Sequence, residues 1–172
     1  MATPTTLPAS FVAGDVLTAA QLNNLRGAFR VLQVVSTTKT DSFSTASTSY
    51  VDITGLSVTI TPSSTSSQIL VLTGVAMSGD NSSRMSVQLK RGATDIAIST
   101  GFATTNQTSA SLDTIYMSQY VSIAHLDSPA TTSATTYKFQ AKVGGGTGYI
   151  NAQHGSTTHG NVSTLTVMEI SA

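Results

Sequence analysis

From residue 31 onward, apolar side chains recur at every second position, and this period of two constrains the fold more than any other feature of the chain. The clearest cases are LSVTI (56–60), RMSVQLKR (84–91) and TYKFQAKV (136–143), each bounded by Gly-, Ser- or Asn-rich segments. Such alternation marks strands with one buried and one wet face. Strands are expected over 31–37, within 50–62, and over 68–78, 84–91, 94–100, 114–126, 136–143, 149–153 and 162–170. QILVLTGVAMS (68–78) is nearly continuous apolar and reads as a central strand. A Gly turn is expected at Gly55, and 84–91 with 94–100 reads as a hairpin. The segment 38–50 is polar and reads as a loop or a weak strand. VSTLTVMEI (162–170) alternates through Val162, Leu165, Val167 and Ile170 with a flaw in the middle.

Roughly eight to ten strands with frequent turn signals predict an all-β, antiparallel sandwich, and a jelly roll matches the size. Ser and Thr supply roughly a third of the residues, but they alternate with Val, Ile and Leu and so fit pleated surfaces rather than flexible tracts. Only 9% of residues are charged, and acidic and basic side chains balance at eight each. No basic stripe supports nucleic-acid binding. A charge-poor exterior resists self-association weakly, which suits a chain held in a permanent assembly.

The first thirty residues are different. Residues 1–15 are Pro-, Thr- and Ala-rich and read as an extended arm that orders against a partner. VLTAAQLNNLRGAF (16–29) reads as a short amphipathic helix. Thr18 and Gln21 form a capping box, with Leu17 and Leu22 as a hydrophobic staple. Leu22, Leu25 and Phe29 lie on one helical face. Gly27 weakens the helix by about 1 kcal/mol relative to Ala, so the segment needs something to dock on. The expected division is therefore an arm and anchor helix over 1–30 and a β-sandwich over 31–172, with Leu17, Leu22, Leu25 and Phe29 as assembly residues. Packing of the helix on its own β domain is the alternative. The N-terminus lacks a basic n-region and a long apolar stretch, so it does not read as a signal peptide. No apolar run approaches the about 18 residues of a membrane span, so no membrane insertion is expected.

Catalytic and metal chemistry find little support. The absence of cysteine removes disulfides, thiolate metal sites and thiol nucleophiles. His154 and His159 flank GSTT in an expected loop, a poor spacing for a shared metal. Nothing local pairs two carboxylates as glycoside hydrolysis requires; Asp52, Asp80 and Asp127 read as turn or strand-edge residues. No G-x-S-x-G elbow is present, and GGGTG (144–148) lacks the Lys of a phosphate loop. No cofactor, metal or catalytic residue is expected. Contact with other molecules is expected instead from the polar loops 101–113 and 154–161, through Asn106, Gln107, His154 and His159. Tyr116, Tyr120, Tyr137 and Tyr149 are candidate aromatic contacts, the first two four residues apart on one face of an expected strand, with core or interface packing as the competing role.

Several segments together resemble a family of small bacteriophage virion proteins of tail-fibre-like type. SFVAGDVLTAAQLNNLRGAFRVLQVV resembles the leader of such appendages, and YVDITGLSVTITPSSTSSQILVLTG their early strands. SVQLKRGATDIAI resembles their central hairpin, and LDSPATTSATTYKFQAKV, GYIN and STLTVMEI their final strands. The resemblance implies a non-enzymatic virion protein, made in the host cytoplasm and assembled as a homotrimer with itself and other phage virion proteins. It implies a tail fibre or receptor-binding appendage, attached through its N-terminus and facing a host surface glycan or protein. A capsid decoration (cement) protein that stabilises the phage head is the alternative.

Overall fold

The structure is a computed structural model that describes residues 31–79, 84–104, 119–152 and 160–171. The expected arm and helix, with Leu17, Leu22, Leu25 and Phe29, lie outside the described residues, as do Asn106, Gln107, Tyr116, His154 and His159. The described residues form ten strands: β1 (Val31–Lys39), β2 (Phe43–Thr45), β3 (Val51–Ile60), β4 (Gln68–Gly79), β5 (Arg84–Arg91), β6 (Thr94–Thr104), β7 (Gln119–Asp127), β8 (Thr135–Val143), β9 (Gly148–Ile150) and β10 (Ser163–Ile170).

All pairings are antiparallel, and they make two sheets. Sheet B has the order β3-β8-β5-β6. In sheet A, β10 and then β9 run along one side of β4, through Thr164↔Gly74 and Ile150↔Met77, while β7 occupies the other. β1 and β2 flank β10 and β9 in the same succession, through Lys39↔Ser163 and Phe43↔Ile150. Sheet A is thus four strands wide, in the order β1-β10-β4-β7. Two four-stranded sheets in these orders, with the chain passing repeatedly between them, make the eight-stranded winding of a jelly roll.

The join between β9 and β10 interrupts the ladder, and side chains fill the interruption. Asn151 has φ 57°, a left-handed conformation that Asn tolerates better than most residues. Its backbone N–H donates to the Ala76 carbonyl at 3.0 Å, and its amide donates to the carbonyls of Lys39 (2.7 Å) and Asp41 (3.2 Å). The Ser163 hydroxyl donates to Asn151 Oδ1 (2.6 Å) and accepts from the Ala76 N–H (3.0 Å). Buried backbone groups that a continuous strand would pair are satisfied here by two side chains.

Alternation accounts for the interior. Leu56, Val58 and Ile60 of β3, Val87 and Leu89 of β5, Tyr137 and Phe139 of β8, and Leu165 and Val167 of β10 meet between the sheets. Each large apolar side chain buried in this way stabilises the fold by about 1.5–3 kcal/mol.

Three local expectations change. Gly55 is no turn: with φ +83° it sits in a bulge that lets β3 run on from Val51 to Ile60, and the register to β8 shifts between Asp52 and Ser57. β6 runs on to Thr104, into the expected loop 101–113, whereas Phe43–Thr45 is the short strand β2 that the weak-strand reading of 38–50 allows. In β10 the inward residues are Ser163, Leu165, Val167 and Glu169, so Val162 and Ile170 belong to the outer face. The expected alternation had merged the two faces of that strand.

Candidate docking surface

The outer faces of the two sheets carry opposite chemistry. On sheet B the outward side chains are polar and tied to one another. Lys138 Nζ is 2.8 Å from Asp52, and the Gln140 amide donates to the same carboxylate at 2.7 Å. The Gln88 amide donates to Gln140 (2.7 Å), Thr59 and Thr136 share a hydroxyl hydrogen bond (2.8 Å), and Lys90 pairs with Asp95 (2.9 Å). Lys142 lies over the Tyr50 ring, 4.6 Å from its centre. The hydrogen bonds from Lys138 and Gln140 hold the Asp52 carboxyl below the usual carboxylate range. This is a face built for water.

On sheet A, register aligns apolar side chains across all four strands. Val34 of β1 faces Met168 of β10, Met168 faces Leu70 of β4, and Leu70 faces Leu126 of β7. The next outward row is Ser36, Thr166, Leu72 and Ala124, and the third is Thr38, Thr164, Gly74 and Ser122. Leu32 extends the first row towards the chain's entry, and Tyr120 lies at the far end of β7 opposite Ala76. Val34 is 54% exposed, Leu126 50% and Leu32 41%. No outward residue in these rows is charged. The hydroxyls of Ser36 and Thr166 hydrogen-bond each other at 2.8 Å, so even that polar pair can lose water at little cost.

A buried polar row stiffens the same end of the sheet from within. Glu169 and Asp127 are register partners of Ile69 on its two sides, and Gln33 faces Glu169. Asp127 is buried, and its two oxygens accept from Arg91 Nη1 at 2.7 and 2.8 Å. The Tyr137 hydroxyl donates to Asp127 Oδ2 at 2.7 Å. β7 of sheet A is thereby fastened to β5 and β8 of sheet B. Burial, and then the hydrogen bond to Asp127 and its charge, push the Tyr137 hydroxyl far above its ordinary pKa, so it stays a donor. Glu169 accepts from the Ser63 N–H and hydroxyl, each at 2.6 Å, and from the Gln33 amide at 2.6 Å; that amide also donates to the Thr61 carbonyl at 2.7 Å. Burial raises the Glu169 pKa, but the hydrogen bonds from Ser63, Gln33 and Ser67 outweigh it and hold the carboxyl at about 2.

Among the sequence-predicted contact residues, Tyr120 is described and is 55% exposed on the outer face of sheet A. Tyr137 is a core residue, and Tyr149 is partly buried in β9. Asp127, read as a turn or strand-edge residue, does end the edge strand β7, and there it is the buried acceptor of the inter-sheet lock. Sequence reasoning missed the apolar row, whose members are scattered over four strands and unite only through register. Among the described residues, no three His, Asp or Glu side chains come together as a metal site requires, and no helix is long and apolar enough to cross a membrane.

No protein-family model matches the chain, and no curated protein matches it. Among solved structures, the chain is similar to a protein in the structure of the infectious bursal disease virus Gt strain, with a TM-score of 0.44 and 12% identity over 84% of this chain and 38% of that one. It is also similar to VP2 in the subviral particle of infectious bursal disease virus, with a TM-score of 0.39 and 15% identity over 81% of this chain and 38% of that one. The chain thus spans less than two-fifths of either virus-particle protein.

Proposed function

We propose that this chain is a non-enzymatic structural protein of a bacteriophage particle, joined to it through its N-terminal segment with the β-sandwich projecting. The observation that carries this reading is the contrast between the two outer faces. One is uncharged and carries an apolar row where the leader enters; the other is a hydrogen-bonded, charged face suited to solvent. A contiguous exposed apolar face on a small domain marks an interaction surface. The jelly roll hosts capsid and lectin domains alike, so fold alone decides nothing; the leader's resemblance to phage appendages supplies the particle. A tail-fibre or receptor-binding role, as a homotrimer, follows from that resemblance.

With only 9% of its residues charged, the chain also suits a permanent place on a shell, which favours capsid decoration as the second reading. Immunogold electron microscopy of purified particles, with quantification of copies, separates them. The fibre reading expects label at the tail and few copies. Hundreds of copies on the head would reject it in favour of decoration, and absence from purified particles would reject both. Particles assembled with a chain lacking residues 1–30 should carry none of it; normal incorporation would place attachment elsewhere.

A further inference from the structure

We propose that residues 17–29 of the same chain cover the outer face of sheet A, with Leu22, Leu25 and Phe29 lying on the row Val34–Met168–Leu70–Leu126. This goes beyond the virion reading and divides the N-terminal segment: residues 17–29 seat on the β domain, and the arm before them is left to join the particle.

Four observations carry it. The first is the point of entry. One residue, Arg30, separates Phe29 from β1, and β1 opens beside the apolar row, with Leu32 and Val34 at its near end. A segment tethered so closely meets the face at a high effective concentration.

The second is size. A helix of about 13 residues is about 20 Å long. The axes of β1 and β7 are three strand spacings apart, about 14 Å. One short helix laid across the strands spans the row from β1 to β7.

The third is the composition of β4. A strand covered on both sides reads as a continuous apolar run, whereas a half-exposed strand alternates. β4 carries Ile69, Val71 and Val75 inward and Leu70 and Leu72 outward. β8, central in sheet B, carries Thr136, Lys138, Gln140 and Lys142 outward. The sequence of β4 is that of a strand with a second layer over it.

The fourth is mutual need. The helix is too short to be stable alone, and its apolar stripe has no charge, like the face. A second copy meeting sheet A face to face would cover the row but leave the stripe of each leader without a partner. Docking within the chain satisfies both.

The chain has no cysteine, so introduced thiols report without background. In the full-length protein, Leu25→Cys with Met168→Cys should give an intrachain product with a short bismaleimide. The product runs at monomer mass, and its yield is independent of protein concentration. Leu25→Cys with Thr59→Cys, on the outer face of sheet B, should give none. In a second reporter, Met168→Cys alone should react with a maleimide at least about tenfold more slowly than in the same chain carrying Leu25→Asp, because an unpaired carboxylate is costly to bury. The pair Leu22→Cys with Leu70→Cys repeats the test if the first variant misfolds. An interchain product that grows with concentration would overturn the proposal in favour of a second copy. Absence of any product, or equal maleimide rates at Met168→Cys with and without Leu25→Asp, would overturn it too. The particle-labelling experiment reads the virion assignment separately.

Discussion

Replacing Asp127 with alanine is expected to destabilise the fold by about 3 kcal/mol or more, lowering Tm by roughly 10 °C. The reason is what the change leaves behind. Arg91 Nη1 loses both oxygens that it contacts, and the Tyr137 hydroxyl, in a residue with no exposure, loses its acceptor. An unsatisfied buried donor costs its full desolvation free energy. Arg91 is partly exposed and recovers some solvation, so Tyr137 bears most of the loss. Tyr137→Phe removes the hydroxyl together with its need, and should cost only about 1 kcal/mol. In the Asp127→Ala background, Tyr137→Phe should therefore cost less than it does alone, or even restore stability. Urea denaturation of the four proteins measures this coupling. A loss below 1 kcal/mol for Asp127→Ala would show that the lock does not join the two sheets.

The second large effect is at Glu169 and depends on pH. Its carboxyl is held at about 2 in the folded protein, against 4.5 as its ordinary value. A folded-state pKa below the unfolded one gives stability that is present above the unfolded value and lost as pH falls towards the folded value. Wild-type protein is expected to lose up to about 3 kcal/mol from this group between pH 5 and pH 2. Glu169→Gln should be less stable at pH 7, because a neutral acceptor replaces the carboxylate that Ser63 and Gln33 hold. It should also lose less on acidification, so that the two stability curves converge near pH 2. Curves that stay parallel from pH 7 to pH 2 would remove Glu169 from the account.

Both carboxylates show why part of this molecule could be read from its sequence and part could not. The sandwich was legible because LSVTI and TYKFQAKV bury alternate residues in the structure, as their period requires, and RMSVQLKR turns Met85, Val87 and Leu89 inward. Asp127 was not, because an acid just before Ser128 and Pro129 has the composition of a turn, and its partners stand 36 residues before it and 10 after it. Glu169 left a usable signal. It follows Leu165 and Val167 at intervals of two, so the inward face of β10 carries it into the interior. The Val162 and Ile170 reading crossed from one face to the other and concealed that. Gly55 was misread because a bulge and a turn demand the same left-handed backbone from a glycine. The apolar row was hidden for a different reason. Val34, Met168, Leu70 and Leu126 are ordinary residues in their own strands, and register alone puts them side by side.

That row is the centre of the account, which holds that the outer face of sheet A is covered in the working protein while that of sheet B is bare. Hydroxyl-radical footprinting of the intact, full-length protein tests this with native side chains, since Met168 is itself a sensitive target. The account predicts that Met168, Val34 and Leu126 are oxidised several times more slowly than Lys138 and Gln140 of sheet B, once each is scaled to its intrinsic reactivity. Scaled rates on sheet A equal to or above those on sheet B would mean that nothing covers the face, and would contradict it.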